Sequence, residues 1–403
     1  MDISATVRPT FTCPVCWQSF DAGDVLSIAA HESLRGDPVL GEDAPMRFLP
    51  IRFNDAAQAI DPMGLATGKL ACPHCRRQLP HSFLEIPHHI ISLVGAPSSG
   101  KSYYLSILLK TLADSLSRNF ALALSDADPT GNVLLNQMKN RLFSADTPDE
   151  AVLAKTALEG SMYERFPRFG KWVSLPRPFI YRVASPKAPK NAHAIVFYDN
   201  AGEHFEPGID TENSPGAMHV AYSSAIFFLF DPTANTHFRR RLRGSEDPQL
   251  LLRARFDQQD SILSEMEVRV KKILNIPASE KIDTPLAFIV GKSDVLKPLI
   301  DWNQFENPVE NGCLNLAAIE KNSARLREFL LEIDPSLVRQ AEQFARNIRY
   351  FPASAFGHAP VRVKGKDGSE LLAPDPKRIE PWLVEAPALW VLQQLTGDFI
   401  PVA

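Results

Sequence analysis

The sequence predicts an α/β protein built on a doubly wound, mostly parallel sheet, with a small cysteine-rich module ahead of it. Three observations carry this. Short apolar runs recur along the chain, each closing on small or polar residues. One of them, His89–Val94, opens into a glycine-containing loop and then a long helical pattern. Two C-x-x-C pairs lie before that run. Buried parallel strands read as continuous apolar segments, and open α/β sheets gather their ligand-binding groups at the carboxyl ends of the strands. At 403 residues the chain is long enough for more than one domain. We place a zinc-ribbon-like module with an insertion over 1–87 and an α/β domain with long insertions over 88–403.

The first element is the cysteine module. Cys13-Pro14-Val15-Cys16 and Cys72-Pro73-His74-Cys75 each place two sulfurs on one tight turn. Two such pairs make a closed four-thiolate site of the kind zinc prefers, with a structural role. C-P-H-C also has the form of a thiol oxidoreductase motif, which needs a helix N-terminus in a βαβ setting. Pro80 and the second pair argue against that setting. His74 reads as solvent-facing and Cys313 as a bystander. The stretch Met46–Phe53 and the Pro/Gly-rich Asp61–Gly68 read as short strands and turns of the insertion.

Next comes Gly95-x-x-x-x-Gly100-Lys101-Ser102, after a buried strand and before the helical pattern Tyr103–Arg118. This is the phosphate-binding loop in full. Its glycines let the backbone wrap a phosphate chain, and the N–H groups from Ser98 and Ser99 through Tyr103 point inward at a helix N-terminus. Lys101 is expected on the β- and γ-phosphates, exposed at the loop, and the Ser102 hydroxyl on Mg²⁺.

A second run, Ala194–Tyr198, ends in Asp199-Asn200-Ala201-Gly202-Glu203-His204. A carboxylate at a strand end suits the metal, with Asp199 holding Mg²⁺ through water and the Gly202 N–H reaching a γ-phosphate. Further runs are Ala225–Phe230 followed by Asp231, Leu286–Val290 followed by Gly291-Lys292-Ser293-Asp294, and Tyr350–Ala353 followed by Ser354-Ala355.

With these motifs in order, residues 88–400 resemble the P-loop GTPases of the translation-factor and Ras-like class. The zinc knuckles and long insertions more narrowly resemble a bacterial double-GTPase type tied to conflict or regulatory systems. The resemblance implies that Asp294 accepts the guanine N1–H and N2 amine, that Lys292 lies along the purine face, and that Ser354 and the Ala355 N–H back the base. Gly291 departs from the family's Asn or Thr, so this loop is expected to be less braced. Glu203 stands where relatives carry a water-orienting Gln. Either Glu203 swings away while His204 helps place water, or hydrolysis is slow without a partner. Switch I needs a Thr on Mg²⁺ before the second strand, which we place at Phe179–Val183. Thr147 and Thr156 both qualify, and Thr156 fits the pattern better.

The remaining sequence is read as support. Gln249–Asn275 is expected to be helical, packing Leu251, Ile262, Leu263, Met266 and Val270 on one face. Leu314–Phe344 reads as one or two surface helices and Glu380–Leu395 as the last helix. Arg239–Arg243 reads as a solvated face, with an acidic partner or nucleic-acid phosphate as the less favoured use.

The formal net charge is -4, with 22% charged and 45% hydrophobic residues. That excludes a disordered chain and one built to coat nucleic acid. The longest apolar run, Ala225–Phe230, is far short of a membrane span. No secretory signal is evident over Met1–Phe11, so the chain is expected in the cytoplasm. The expected function is a GTP hydrolase, binding GTP or GDP with Mg²⁺ and Zn²⁺, that acts as a switch toward a protein effector or activator. A nucleotide-dependent scaffold without useful turnover is the alternative, and an ATPase is disfavoured by Asp294.

Overall fold

The structure is a computed structural model that describes residues 10–80, 82–153, 163–168, 171–199, 205, 218–251, 258–365 and 368–403. Its centre is a seven-stranded sheet. The strands are β1 (His88–Val94), β2 (Ala123–Asp126), β3 (Phe179–Ser185), β4 (Ala188–Asp199), β5 (Ala225–Phe230), β6 (Leu286–Val290) and β7 (Ile348–Pro352). Their spatial order is β2-β3-β4-β1-β5-β6-β7. From β4 to β7 every pairing is parallel, and β3 runs antiparallel to both of its neighbours. The sheet is therefore mostly parallel, with the carboxyl ends of β1, β4, β5, β6 and β7 on one edge.

Period-two alternation sends each strand's side chains to two cores. Ile91, Leu93, Ile195, Phe197, Phe227 and Leu229 face one side. They pack under α1 (Lys101–Phe120) and, at the far end of the chain, α6 (Ala386–Thr396). On the opposite side Ile226, Phe228, Phe230 and Phe288 meet α3 (Gln258–Leu274) and α5 (Pro335–Phe344). Between α1 and α3 lies α2 (Val133–Ser144), and α4 (Leu316–Ile333) precedes α5. Each of α4 and α5 starts on a side-chain cap, Asn315 accepting from the Ala318 N–H and Asp334 from the Leu337 N–H.

The second face is shared. Over β3 and β4 the cover is the cysteine module, not a helix. Ala194, Val196 and Tyr198 pack against Cys13, Cys16, Trp17, Cys72, Cys75 and Phe83 in one buried cluster. The hairpin Tyr163–Arg168 with Lys171–Pro176 adds Val173 and Leu175 to it.

Several expectations change. The strand expected second, Phe179–Val183, is third in sequence order, because Ala123–Asp126 pairs outside it as an edge strand too short to announce itself. The helix expected over Gln249–Asn275 is a short turn of helix, Pro248–Leu251, and then α3; 252–257 lie outside the described residues. Leu251 is exposed, whereas Ile262, Leu263, Met266 and Val270 are buried as a helical face should be. The last helix begins at Ala386, not Glu380. Pro381 has no N–H to give, Leu383 has φ 52°, and Trp382 instead exchanges two backbone bonds with Ser354 at 2.9 and 3.0 Å. Among the described residues no helix is long and apolar enough to cross a membrane.

Candidate functional site

Two sites emerge, one at the carboxyl edge of the sheet and one in the cysteine module. At the edge, β1 ends in the loop Gly95–Gly100, which turns into α1. A Cβ on Gly95 would lie 2.5 Å from the Leu229 carbonyl oxygen, so only glycine lets the loop leave β1 so close to β5. Ser98 and Gly100 take φ 65° and 92°. Left-handed residues at this spacing turn the backbone into an N–H-lined cradle at the helix N-terminus, which fits a phosphate chain. Ser99 is buried and its N–H bonds the Ala96 carbonyl at 3.2 Å. Lys101 is buried, not exposed. Its Nζ donates to the Gly95 and Ala96 carbonyls at 2.9 and 2.8 Å, which holds the ammonium inside the loop's curl.

Ser102 Oγ donates to Asp199 Oδ2 at 2.5 Å. Two hard oxygens converge here from α1 and the end of β4, and Asp199 is buried. That donor chemistry fits Mg²⁺, which prefers a few carboxylate or hydroxyl ligands beside phosphate oxygens. The next residue, Tyr103, turns the other way. Its hydroxyl accepts the Leu153 N–H at 2.9 Å, and its ring meets Phe356 edge-on at 5.3 Å. It thus ties the chain just before 154–162 to the loop after β7.

The loops after β6 and β7 form the adjoining part. Lys292, at φ 49°, crosses above the phosphate loop. Its Nζ pairs with Asp231 Oδ2 at 2.5 Å and donates to the Ser98 carbonyl at 3.3 Å. Asp294 Oδ1 accepts from Ser354 Oγ at 2.7 Å and Oδ2 from Gln249 Nε2 at 3.0 Å. Burial raises the Asp294 pKa above the usual carboxylate range; the Ser354 and Gln249 bonds oppose this, and the Asp247 charge adds to it. Ala355 packs against the α1-side core beside Ser354.

Gly291 does lack a bracing side chain, and a Cβ there would press to 3.0 Å on Leu229 Cδ1. The bracing lies elsewhere. Ser293 Oγ donates to the Val290 carbonyl at 2.7 Å and accepts the Ala353 N–H at 3.2 Å, while Lys292 supplies the tie to the phosphate loop.

In the module, Cys13, Cys16, Cys72 and Cys75 are all buried, and their sulfurs lie within 4.8 Å of one another. Cys13 to Cys75 is 3.7 Å and Cys16 to Cys72 is 3.8 Å. A tetrahedron of thiolates about 2.3 Å from zinc has edges of about 3.8 Å, so the set fits zinc. The two knuckles repeat one geometry. Cys13 N–H bonds the Gln18 carbonyl and Cys72 N–H the Arg77 carbonyl, both at 3.0 Å. Trp17 and Arg76, each following its second cysteine, take φ 59° and 62°. Burial pushes the Cys13 thiol well up, while bonds from the other three sulfurs drive Cys72 far down. His74 is exposed and contacts the Ser19 carbonyl at 3.2 Å, outside the cluster.

The module meets the sheet beside its carboxyl edge. Trp17 Nε1 donates to the Tyr198 hydroxyl at 3.1 Å, and that hydroxyl donates to the Pro14 carbonyl. Tyr198 is the neighbour of Asp199 in β4.

Thr156, Gly202, Glu203 and His204 lie outside the described residues. Thr147 is exposed. The sequence reading assigned no role to Asp231 or Gln249. Asp231 had a signal, a carboxylate closing an apolar run. Gln249 had none, since it lies in a connection with no motif.

No protein-family model matches the chain. It is 25% identical over 236 residues to the Mycolicibacterium smegmatis protein named "Putative ESX-1 scaffolding and assembly protein SaeC". That match takes in 57% of this chain and 52% of the relative, so it spans about half of the relative's length. Among solved structures, Aquifex aeolicus Era bound to GDP·AlF4⁻ is 15% identical, with a TM-score of 0.24 over 68% of this chain and 53% of that one. The Saccharomyces cerevisiae Ski7 GTPase-like domain bound to GTP is 13% identical, with a TM-score of 0.30 over 79% of this chain and 52% of that one. At these scores the structural likenesses carry no functional inference.

Proposed function

We propose that the chain is a guanine-nucleotide-binding switch of the P-loop GTPase class, with a zinc-stabilised module at 1–87 docked on a nucleotide-binding domain at 88–403. One observation supports it above the rest: the phosphate loop and the Lys292–Asp294 loop meet at a single edge, tied by Lys292 to Ser98. In this reading Gly95, Ser98, Gly100, Lys101, Ser102 and Tyr103 cradle the phosphates through their backbone. Lys101 leaves the Gly95 and Ala96 carbonyls for the β- and γ-phosphates. Ser102 and Asp199 hold Mg²⁺, which neutralises phosphate charge when bound. Lys292 lies on the base face, Asp294 reads the base edge, and Ser354 and Ala355 back it. Thr156 and Gly202 report the γ-phosphate, while Glu203 and His204 govern how a water is placed for slow hydrolysis.

The SaeC relative, named for scaffolding and assembly, favours a role in which bound nucleotide orders a protein partner. A bacterial regulatory or conflict system is the setting we propose, in the cytoplasm. Nucleic acid is a less favoured partner. A scaffold that binds GTP without turnover differs only in the last step, which a turnover assay with the purified chain separates.

Competition binding tests the base reading. Guanine offers two donors to Asp294, whereas adenine N1 is an acceptor that would face the carboxylate unpaired. GTP is therefore expected to outcompete ATP by at least about a hundredfold. Asp294→Asn is expected to lose GTP and gain xanthosine triphosphate, whose position-2 carbonyl suits the amide donor. Equal affinity of the native chain for ATP and GTP would overturn the reading.

A further inference from the structure

Asp294 accepts one protein hydrogen bond on each carboxylate oxygen, and the two donors come from unrelated places. Ser354 belongs to the loop after β7. Gln249 belongs to Pro248–Leu251, in the long connection between β5 and α3. The placement of Gln249 is built. Its side chain is buried, and its N–H is held by Asp247 Oδ1 at 2.8 Å. The Leu250 carbonyl accepts from the Arg239 guanidinium, which also donates to the Thr233 carbonyl at 2.9 Å, just beyond β5. The segment carrying Gln249 is thereby fastened to the same sheet edge as the phosphate loop.

We infer that Gln249 is a positioning residue for guanine selectivity, holding the Asp294 carboxylate in the plane that reads the base. The inference rests on Asp294 being the base reader. An ionised carboxylate has about four acceptor sites. Ser354 bonds Oδ1 and Gln249 bonds Oδ2, which leaves acceptor capacity on the carboxylate. Two acceptors side by side match the two donors of a guanine edge. Without the amide, only Ser354 would fix the group, and the carboxylate could rotate about its Cβ–Cγ bond away from a two-point contact. Gly291 offers no side chain to this loop, so Gln249 braces the reading group itself from a separate insertion. Its bond also favours the ionised form against the burial that disfavours it. Protonation would place a donor where guanine presents donors.

The test uses the full chain with GTP, inosine triphosphate and ATP as competitors. Inosine keeps N1–H and O6 but lacks the N2 amine, so the ratio of GTP to ITP affinity reads the second carboxylate contact alone. Gln249→Met keeps the length and removes the donor. It is expected to weaken GTP about tenfold, the size of one lost bond to a charged group, and ITP by less. The GTP/ITP ratio then falls at least about threefold. Gln249→Glu, which sets a like charge against Asp294, is expected to lower the ratio further. An unchanged ratio, even with both nucleotides weakened, would show that Gln249 only supports the fold. Tighter GTP binding by Gln249→Met would show that the amide occupies the base site, and would also overturn the inference. Should the Met variant not fold, Gln249→Asn, too short to reach Asp294, must show the same fall in ratio or the inference fails. Failure of the base reading itself looks different, since the native chain would then bind ATP and GTP alike.

Discussion

At the cysteine cluster each half of the site is complete within one turn of chain, Cys13–Gln18 and Cys72–Arg77. At the candidate nucleotide edge the pairs that build the site join separate loops. Ser102 and Asp199 are separated by 97 positions, Lys292 and Asp231 by 61, Asp294 and Ser354 by 60, and Asp294 and Gln249 by 45. The first site needs only two local turns brought together, which zinc would join in the proposed reading. The second has no such glue. It exists because parallel strands end along one edge and because neighbouring side chains brace one another. The cluster should therefore fail as a unit, whereas the edge should fail contact by contact.

The largest effect is expected at the cluster. A structural zinc site contributes on the order of 10 kcal/mol to folding, so Cys72→Ser should collapse the module. Elemental analysis should give about one zinc per native chain and almost none in the variant, with a lower and broader thermal transition. A metal-free chain that melts like the native one would break the comparison on this side.

Lys101→Ala is next. It removes the cation of the phosphate loop, and triphosphate affinity should fall at least about a hundredfold by titration. Because Lys101 is buried against two carbonyls, a stability loss of about 1 kcal/mol should accompany it. Unchanged affinity would remove this loop from the site.

Asp231→Asn should act chiefly through Lys292, since an Asn Oδ1 can still accept the Thr233 N–H and hydroxyl that Asp231 caps. Asp231 is nearly enclosed and the lysine partly open, with side-chain exposures of 5% and 25%. Loss of the charge partner should loosen the Lys292 stem and weaken GTP about tenfold, with zinc content unchanged. Wild-type affinity would show that Lys292 is held by the Ser98 carbonyl alone.

Trp17→Phe addresses the junction of the two sites and carries the smallest effect. It deletes the indole donor to Tyr198 and keeps most of the ring packing. Urea unfolding should show a loss of about 1 kcal/mol, with zinc and nucleotide binding intact. A marked loss of nucleotide affinity would mean that the module and the edge are one energetic unit.

What the sequence determined by itself follows from the local character of each signal. Both knuckles, the loop from Gly95 to Ser102 and the strands β1, β4, β5 and β6 are written in contiguous residues, because a turn or a buried strand is dictated by its own stretch of chain. The register of Asp199, Lys292, Asp294 and Ser354 at strand ends was legible for the same reason. Tertiary structure decided everything that depends on what lies opposite. It set the edge strand Ala123–Asp126, which exists only by pairing with β3, and the start of α6, where Trp382 is drawn into a bridge with Ser354. It curled Lys101 inward onto its own loop, moved the bracing of the base loop from position 291 to Ser293 and Lys292, and put the cysteine module, not a helix, over β3 and β4. Gln249 is the clearest instance, for a glutamine in a motif-free connection acquires meaning only when folding sets its amide against a buried carboxylate.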